Sequence, residues 1–105
     1  MSVTPHELIA SIDADRAPVI LDVRSDAEYR AGHVPGALHI PFTDVRARAE
    51  SIPGGKDETL VVYCGHGPRA WIAGAALKRL GFSRIEYLKG HMRAWRSARL
   101  RQETS

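Results

Sequence analysis

The sequence predicts an α/β domain, and two observations carry that expectation. Short apolar runs rich in β-branched residues alternate with amphipathic stretches at helical spacing, and Gly, Pro, Asp or Ser punctuates nearly every junction. At 105 residues there is room for one compact domain, long enough to bury a core without metals or disulfide staples. The reading assigns residues 1–100 to that domain and 101–105, RQETS, to a frayed tail.

Taken in order, Thr4-Pro5-His6-Glu7 opens a helix: Thr4 caps, Pro5 suits the first helical position and Glu7 completes a capping box. Leu8, Ile9 and Ile12 give it an apolar face. Residues 18–23, PVILDV, read as a buried strand. Ser25 to Glu28 is a second capping box, starting a short helix that stops near Gly32. HVPGALHIP, residues 33–41, is mainly turn with a brief strand at Ala37 to Ile40, and Thr43 is expected to cap a helix through Glu50. Thr59 to Tyr63, TLVVY, is the clearest strand and runs straight into Cys64. Trp71, Ile72, Ala75, Ala76, Leu77 and Leu80 form an apolar stripe at helical spacing that ends at Gly81. Ile85 to Leu88 is the last strand, and Gly90 opens a terminal helix through about Leu100.

Composition narrows the function. Apolar residues make up 44% and charged residues 26%, an ordinary globular balance. No apolar run approaches the roughly 20 residues that cross a bilayer. MSVTPHELIASID lacks a basic-then-apolar signal pattern, so the expected location is cytoplasmic, with no membrane partner. A single cysteine forms no internal disulfide, and the five histidines show no paired zinc spacing. Neither a metal nor another cofactor is expected. The net charge of +3 is mild; Lys89, Arg93, Arg96, Arg99 and Arg101 crowd the C-terminal end and read as a solvated helix face. Nucleic-acid binding asks for a broader basic stripe and is not expected. A preference for small anions is what the charge supports.

The loop Cys64-Gly65-His66-Gly67-Pro68-Arg69 carries the chemistry. It lies between a strand and a helix start, where open α/β sheets collect ligands. Two glycines let successive N–H groups curl inward as an anion nest, and the helix N-terminus adds its dipole. Pro68 fits the first helical turn. A thiol there ionises readily: the free value of about 8.5 falls to roughly 3.5–7.5 at helix N-termini or beside cations. The structural alternative, a small hydrophobe ending a strand, does not need two glycines, a helix start and Arg69 around it.

At these residues the sequence resembles the rhodanese family across almost its whole length. LDVRSDAEYRAGHVPGALHIP (21–41) is similar to the family's Asp-x-Arg, Glu, Gly-His-x-Pro-Gly-Ala and Pro pattern, VVYCGHGPRA (61–70) to its active-site loop, and LKGHMRAW (88–95) to its closing Gly-Gly and Trp. The resemblance implies a central, mostly parallel five-stranded sheet flanked by helices on both faces. It also implies a sulfurtransferase, in which Cys64 takes sulfane sulfur from a small anionic donor such as thiosulfate or a persulfide. A thiol, cyanide or protein-cysteine acceptor then removes it. Backbone N–H groups from Gly65 to Arg69 would hold the persulfide. Four residues separate Cys64 from Arg69; cysteine phosphatases, including those of the same fold, carry one more, and the smaller ring suits a single sulfur atom. The alternatives are a non-catalytic sulfur-carrier or regulatory module and, against the loop count, a phosphate- or arsenate-handling enzyme.

The remaining residues are weighed singly. Asp22 and Arg24, at a strand end, are expected to support the loops by hydrogen bonding, with Glu28 close enough in sequence to pair with Arg24. His33 reads as a satisfied, partly buried histidine, and Trp71 and Trp95 as core aromatics. His66 is expected at the loop's mouth, where it can steer donor or acceptor. Arg69 has a dual claim, as loop lock and as electrostatic activator. His91 stands where the family usually has its second glycine and reads as an exposed turn residue, with reach toward the loop as the alternative.

Overall fold

A computed structural model describes residues 1–105. The chain runs β1 (Ser2–Val3), α1 (Pro5–Asp13), β2 (Val19–Asp22), α2 (Asp26–Ala31), β3 (Leu38–His39), α3 (Val45–Arg48), β4 (Leu60–Tyr63), α4 (Pro68–Arg79), β5 (Ile85–Leu88) and α5 (His91–Ser97). Both capping boxes form. Glu7 N–H donates to Thr4 Oγ1 at 3.1 Å while Thr4 N–H donates to Glu7 Oε1 at 2.8 Å. Ser25 and Glu28 repeat the exchange at 3.1 and 3.2 Å.

The five strands lie in the order β1-β5-β4-β2-β3, and every neighbouring pair is parallel. Alternation along β2 and β4 divides the core into two layers. Leu21, Leu60, Val62 and Cys64 face one side, with Val45 of α3 and Ala70, Ala73 and Leu77 of α4. Ile20, Val61 and Tyr63 face the other, with Leu8 of α1 and Met92 and Trp95 of α5. The parallel sheet and the helices on both faces match expectation. The fifth strand, β1, is a two-residue edge strand beside β5, too short for any hydrophobic period to announce.

Several expectations need correction. The buried face of α4 is Ala70, Ala73, Gly74 and Leu77, while Trp71 and Ile72 are 57% and 58% exposed. Small residues let α4 sit close to the sheet, where a Cβ on Gly74 would run into the Tyr87 hydroxyl. The larger side chains one position along therefore give a misleading stripe. Thr43 lies inside a 3₁₀ turn, Phe42–Asp44, and its side chain makes no cap; α3 is a single short turn followed by a second 3₁₀ turn, Ala49–Ser51. The tail is tied down rather than frayed. His33 and Glu103 exchange main-chain hydrogen bonds, Glu103 Oε1 accepts from Gly36 N–H at 2.8 Å, and Ser105 N–H reaches Arg30 O at 3.1 Å.

Candidate active site

The buried strand β4 delivers Cys64 to the carboxyl edge of the sheet, where the chain must turn into α4. Cys64 is fully buried, and its Sγ accepts the N–H of Gly67 at 3.0 Å. Gly67 takes φ 140°, and a Cβ there would lie 2.9 Å from the Trp71 ring, so the tight return of the loop requires glycine at this point. Burial pushes the Cys64 thiol up. The His91 ring beside it and the N–H groups of Ala70, Gly67 and His66 outweigh burial and bring the thiol down to about 7.

Two elements distant in sequence clamp this loop. From α5, Met92 N–H donates to Cys64 O at 2.9 Å and Arg93 N–H to Gly65 O at 3.0 Å. Cys64 N–H in turn donates to His91 Nδ1 at 3.2 Å. His91 is therefore not an exposed turn residue: it is 5% exposed, with its ring edge-on to Trp71 at 6.4 Å. From α2, Glu28 receives both ends of the Arg69 guanidinium at 2.6 and 3.0 Å. That pairing holds the Glu28 carboxyl down to about 2. Glu28 thus pairs with Arg69 across the cleft, in place of the expected partner Arg24.

Arg24 is committed elsewhere. Its guanidinium bonds both carboxylate oxygens of Asp22 at 2.7–3.0 Å and the Gly32 carbonyl at 2.7 Å, with both side chains out of solvent. The guanidinium carbon lies 5.7 Å from the centre of the Tyr63 ring, and Tyr63, directly before Cys64, receives the N–H of Val34 on its hydroxyl. Burial pushes the Tyr63 hydroxyl far up, so it stays protonated. The Asp22–Arg24 pair and Tyr63 form a rigid floor beside the loop. His33 is buried against it: Tyr29 O lies 2.7 Å from His33 Nδ1 and the Tyr29 ring stacks at 3.7 Å.

Above the loop is a depression lined by Glu28, Gly65, His66, Arg69, Arg93 and Arg96, with no apolar lining residue. His66 is exposed at its rim. Arg93 and Arg96 make no ion pair with any carboxylate. They are exposed, as the solvated-face reading expects, and the fold sets that face beside the loop at Gly65 and His66. Their i, i+3 spacing was the available signal, since it places both on one side of a helix. No three His, Cys, Asp or Glu side chains gather as a metal ion would require. No helix is long and apolar enough to cross a membrane.

The fold and site define a class: a parallel α/β domain whose strand end presents a partly ionised thiol inside a ring of main-chain N–H groups. Residues 4–98 match the rhodanese-like domain, and the chain belongs to the rhodanese family. It is 39% identical over 83 residues to a protein of Allochromatium vinosum named sulfurtransferase, covering 78% of this chain and 76% of that protein. It is 33% identical over 84 residues to YrkF of Bacillus subtilis, whose name describes a sulfur carrier; the match covers 80% of this chain and only 44% of YrkF. The crystal structure of Alr3790 from Anabaena sp. superposes with a TM-score of 0.88 at 30% identity, covering 98% of this chain and 82% of that one. The names of the two sequence relatives point to sulfur transfer or sulfur carriage in general.

Proposed function

We propose that Cys64 accepts one sulfane sulfur from a small anionic donor and passes it to a thiophilic acceptor. The carrying observation is the Cys64 sulfur held against Gly67 N–H, with a thiol brought down to about 7. At that value about half the protein carries a thiolate near neutral pH, without a separate general base.

With thiosulfate as donor, the Cys64 thiolate attacks the outer sulfur. A Cys64–sulfur bond forms, the donor's S–S bond breaks, and its electron pair leaves with sulfite. The product is a Cys64 persulfide anion. Cyanide, a thiolate or a protein cysteine then attacks the outer sulfur, and the electron pair of the breaking bond returns to Cys64 as thiolate. The His66, Gly67 and Ala70 N–H groups stabilise the anion at each stage. Arg93 and Arg96 supply the cationic grip that the loop itself lacks, which favours anionic donors such as thiosulfate. Gly65 and Pro68 shape the loop, Arg69 locks it to α2, and Asp22 and Arg24 support it from β2.

Incubation with thiosulfate and measurement of intact mass should add one sulfur, lost on cyanide treatment and absent in Cys64→Ser. No adduct with thiosulfate, glutathione persulfide or polysulfide would sink the reading. The carrier reading is favoured by one observation, the complete burial of Cys64, which shields a stored sulfur. Multiple turnovers with cyanide decide for the enzyme; stoichiometric loading that discharges only to a protein cysteine decides for the carrier.

A further inference from the structure

We propose that His91 is a positioning residue for Cys64, holding the nucleophile's main-chain amide so that its sulfur stays under the N–H groups of the loop as a thiolate. This rests on the reading of Cys64 as the nucleophile. β4 ends at Tyr63, so the Cys64 N–H has no ladder partner, yet the residue is fully buried. A buried N–H needs an acceptor, and the His91 ring provides it at 3.2 Å.

The tautomer follows from that bond. A main-chain N–H only donates, so Nδ1 accepts, and the hydrogen of the neutral ring sits on Nε2. The ring is confined. His91 is 5% exposed, Trp71 meets it edge-on, and the next two residues of α5 are bonded to the carbonyls of Cys64 and Gly65. The backbone makes the placement costly: His91 takes φ 57°, one of three non-glycine residues at positive φ. Glycine would occupy that conformation without a Cβ penalty. An imidazole kept at a position that suits glycine, and aimed at the cysteine, does more there than fill space. Among charged groups, Arg69 of α4 acts on Cys64 through space, and Arg69 is itself paired with Glu28 of α2. Neither replaces the acceptor for the Cys64 amide. Without it, that amide must recruit water or move, and the sulfur shifts from the Gly67 N–H with it.

Two variants and one probe test this. Iodoacetamide alkylation of Cys64 is followed against pH in wild type, His91→Gly and His91→Asn. Glycine relieves the positive φ and removes the ring; asparagine tolerates positive φ and retains an acceptor. The expected result is an alkylation midpoint raised by about one unit in His91→Gly, with much of that shift reversed in His91→Asn. A His91→Gly profile that superimposes on wild type overturns the proposal. Nitrogen-15 spectra of the wild-type His91 ring give a measurement free of any variant. They should show the Nε2–H tautomer and a change in both ring nitrogens that tracks the Cys64 midpoint. An Nδ1–H tautomer, or ring nitrogens that ignore that titration, also overturns it. Alkylation does not depend on sulfur loading, so failure of the sulfur-transfer reading shows up separately, as an absent mass adduct.

Discussion

At the scale of single residues, the Arg69–Glu28 pair links loop geometry to pH. Glu28 titrates at about 2 in the fold, against an ordinary 4.5. A carboxyl whose folded value is lowered contributes stability above its unfolded value and loses it as pH falls through the folded one. The melting temperature of wild type should therefore exceed that of Arg69→Met at neutral pH, with the gap intact down to about 4.5 and closing toward 2. Glu28 is 39% exposed, so added salt should narrow the gap by screening. A gap independent of pH would show that Arg69 acts by packing alone. The cysteine, the glycines and Arg69 were all legible as a loop, because their spacing is local. The partner of Arg69 was not: Glu28 lies 41 residues away, and sequence proximity suggested Arg24.

At the scale of elements, α5 brings more to the site than its sequence announced. Lys89 through Arg101 looked like a solvated basic face, yet the first turn of α5 clasps the loop and the exposed Arg93 and Arg96 line the depression beside Gly65 and His66. Replacing either arginine with Glu should raise KM for thiosulfate on the order of tenfold at low ionic strength, with the difference shrinking as salt rises. Alkylation by neutral iodoacetamide should change little. Steady-state kinetics across a salt series check this, and an unaltered KM returns both arginines to the solvent. The reverse lesson comes from α4. Its period was read correctly, but its phase was set by Trp71 and Ile72, whereas close approach to Tyr87 selects Ala70, Ala73 and Gly74 for burial. Hydrophobic periodicity weights bulk; packing at short distance rewards its absence.

At the scale of the whole molecule, the two core layers and the polar floor make the site rigid. Asp22 and Arg24 are fully buried and bonded to each other. Removing one charge strands the other, and breaking a buried pair costs roughly 3–5 kcal/mol. Asp22→Ala should lower stability to urea by an amount of that order, and a change below about 1 kcal/mol would show that Arg24 finds water instead. The His33–Glu103 bridge also fastens the C-terminal tail to the turn after α2.

The sequence by itself determined the α/β class, the order of four strands and both capping boxes, and it placed Cys64 in a six-residue loop with Arg69. Each of these is written in residues within a few positions of one another, where backbone periodicity and side-chain chemistry act directly. Tertiary structure alone decided that His91 receives the Cys64 amide, that Glu28 takes Arg69, and that Arg93 and Arg96 face the loop. Those contacts join residues far apart in the chain, and they exist only because parallel crossovers bring the carboxyl ends of β2, β4 and β5 to one edge of the sheet.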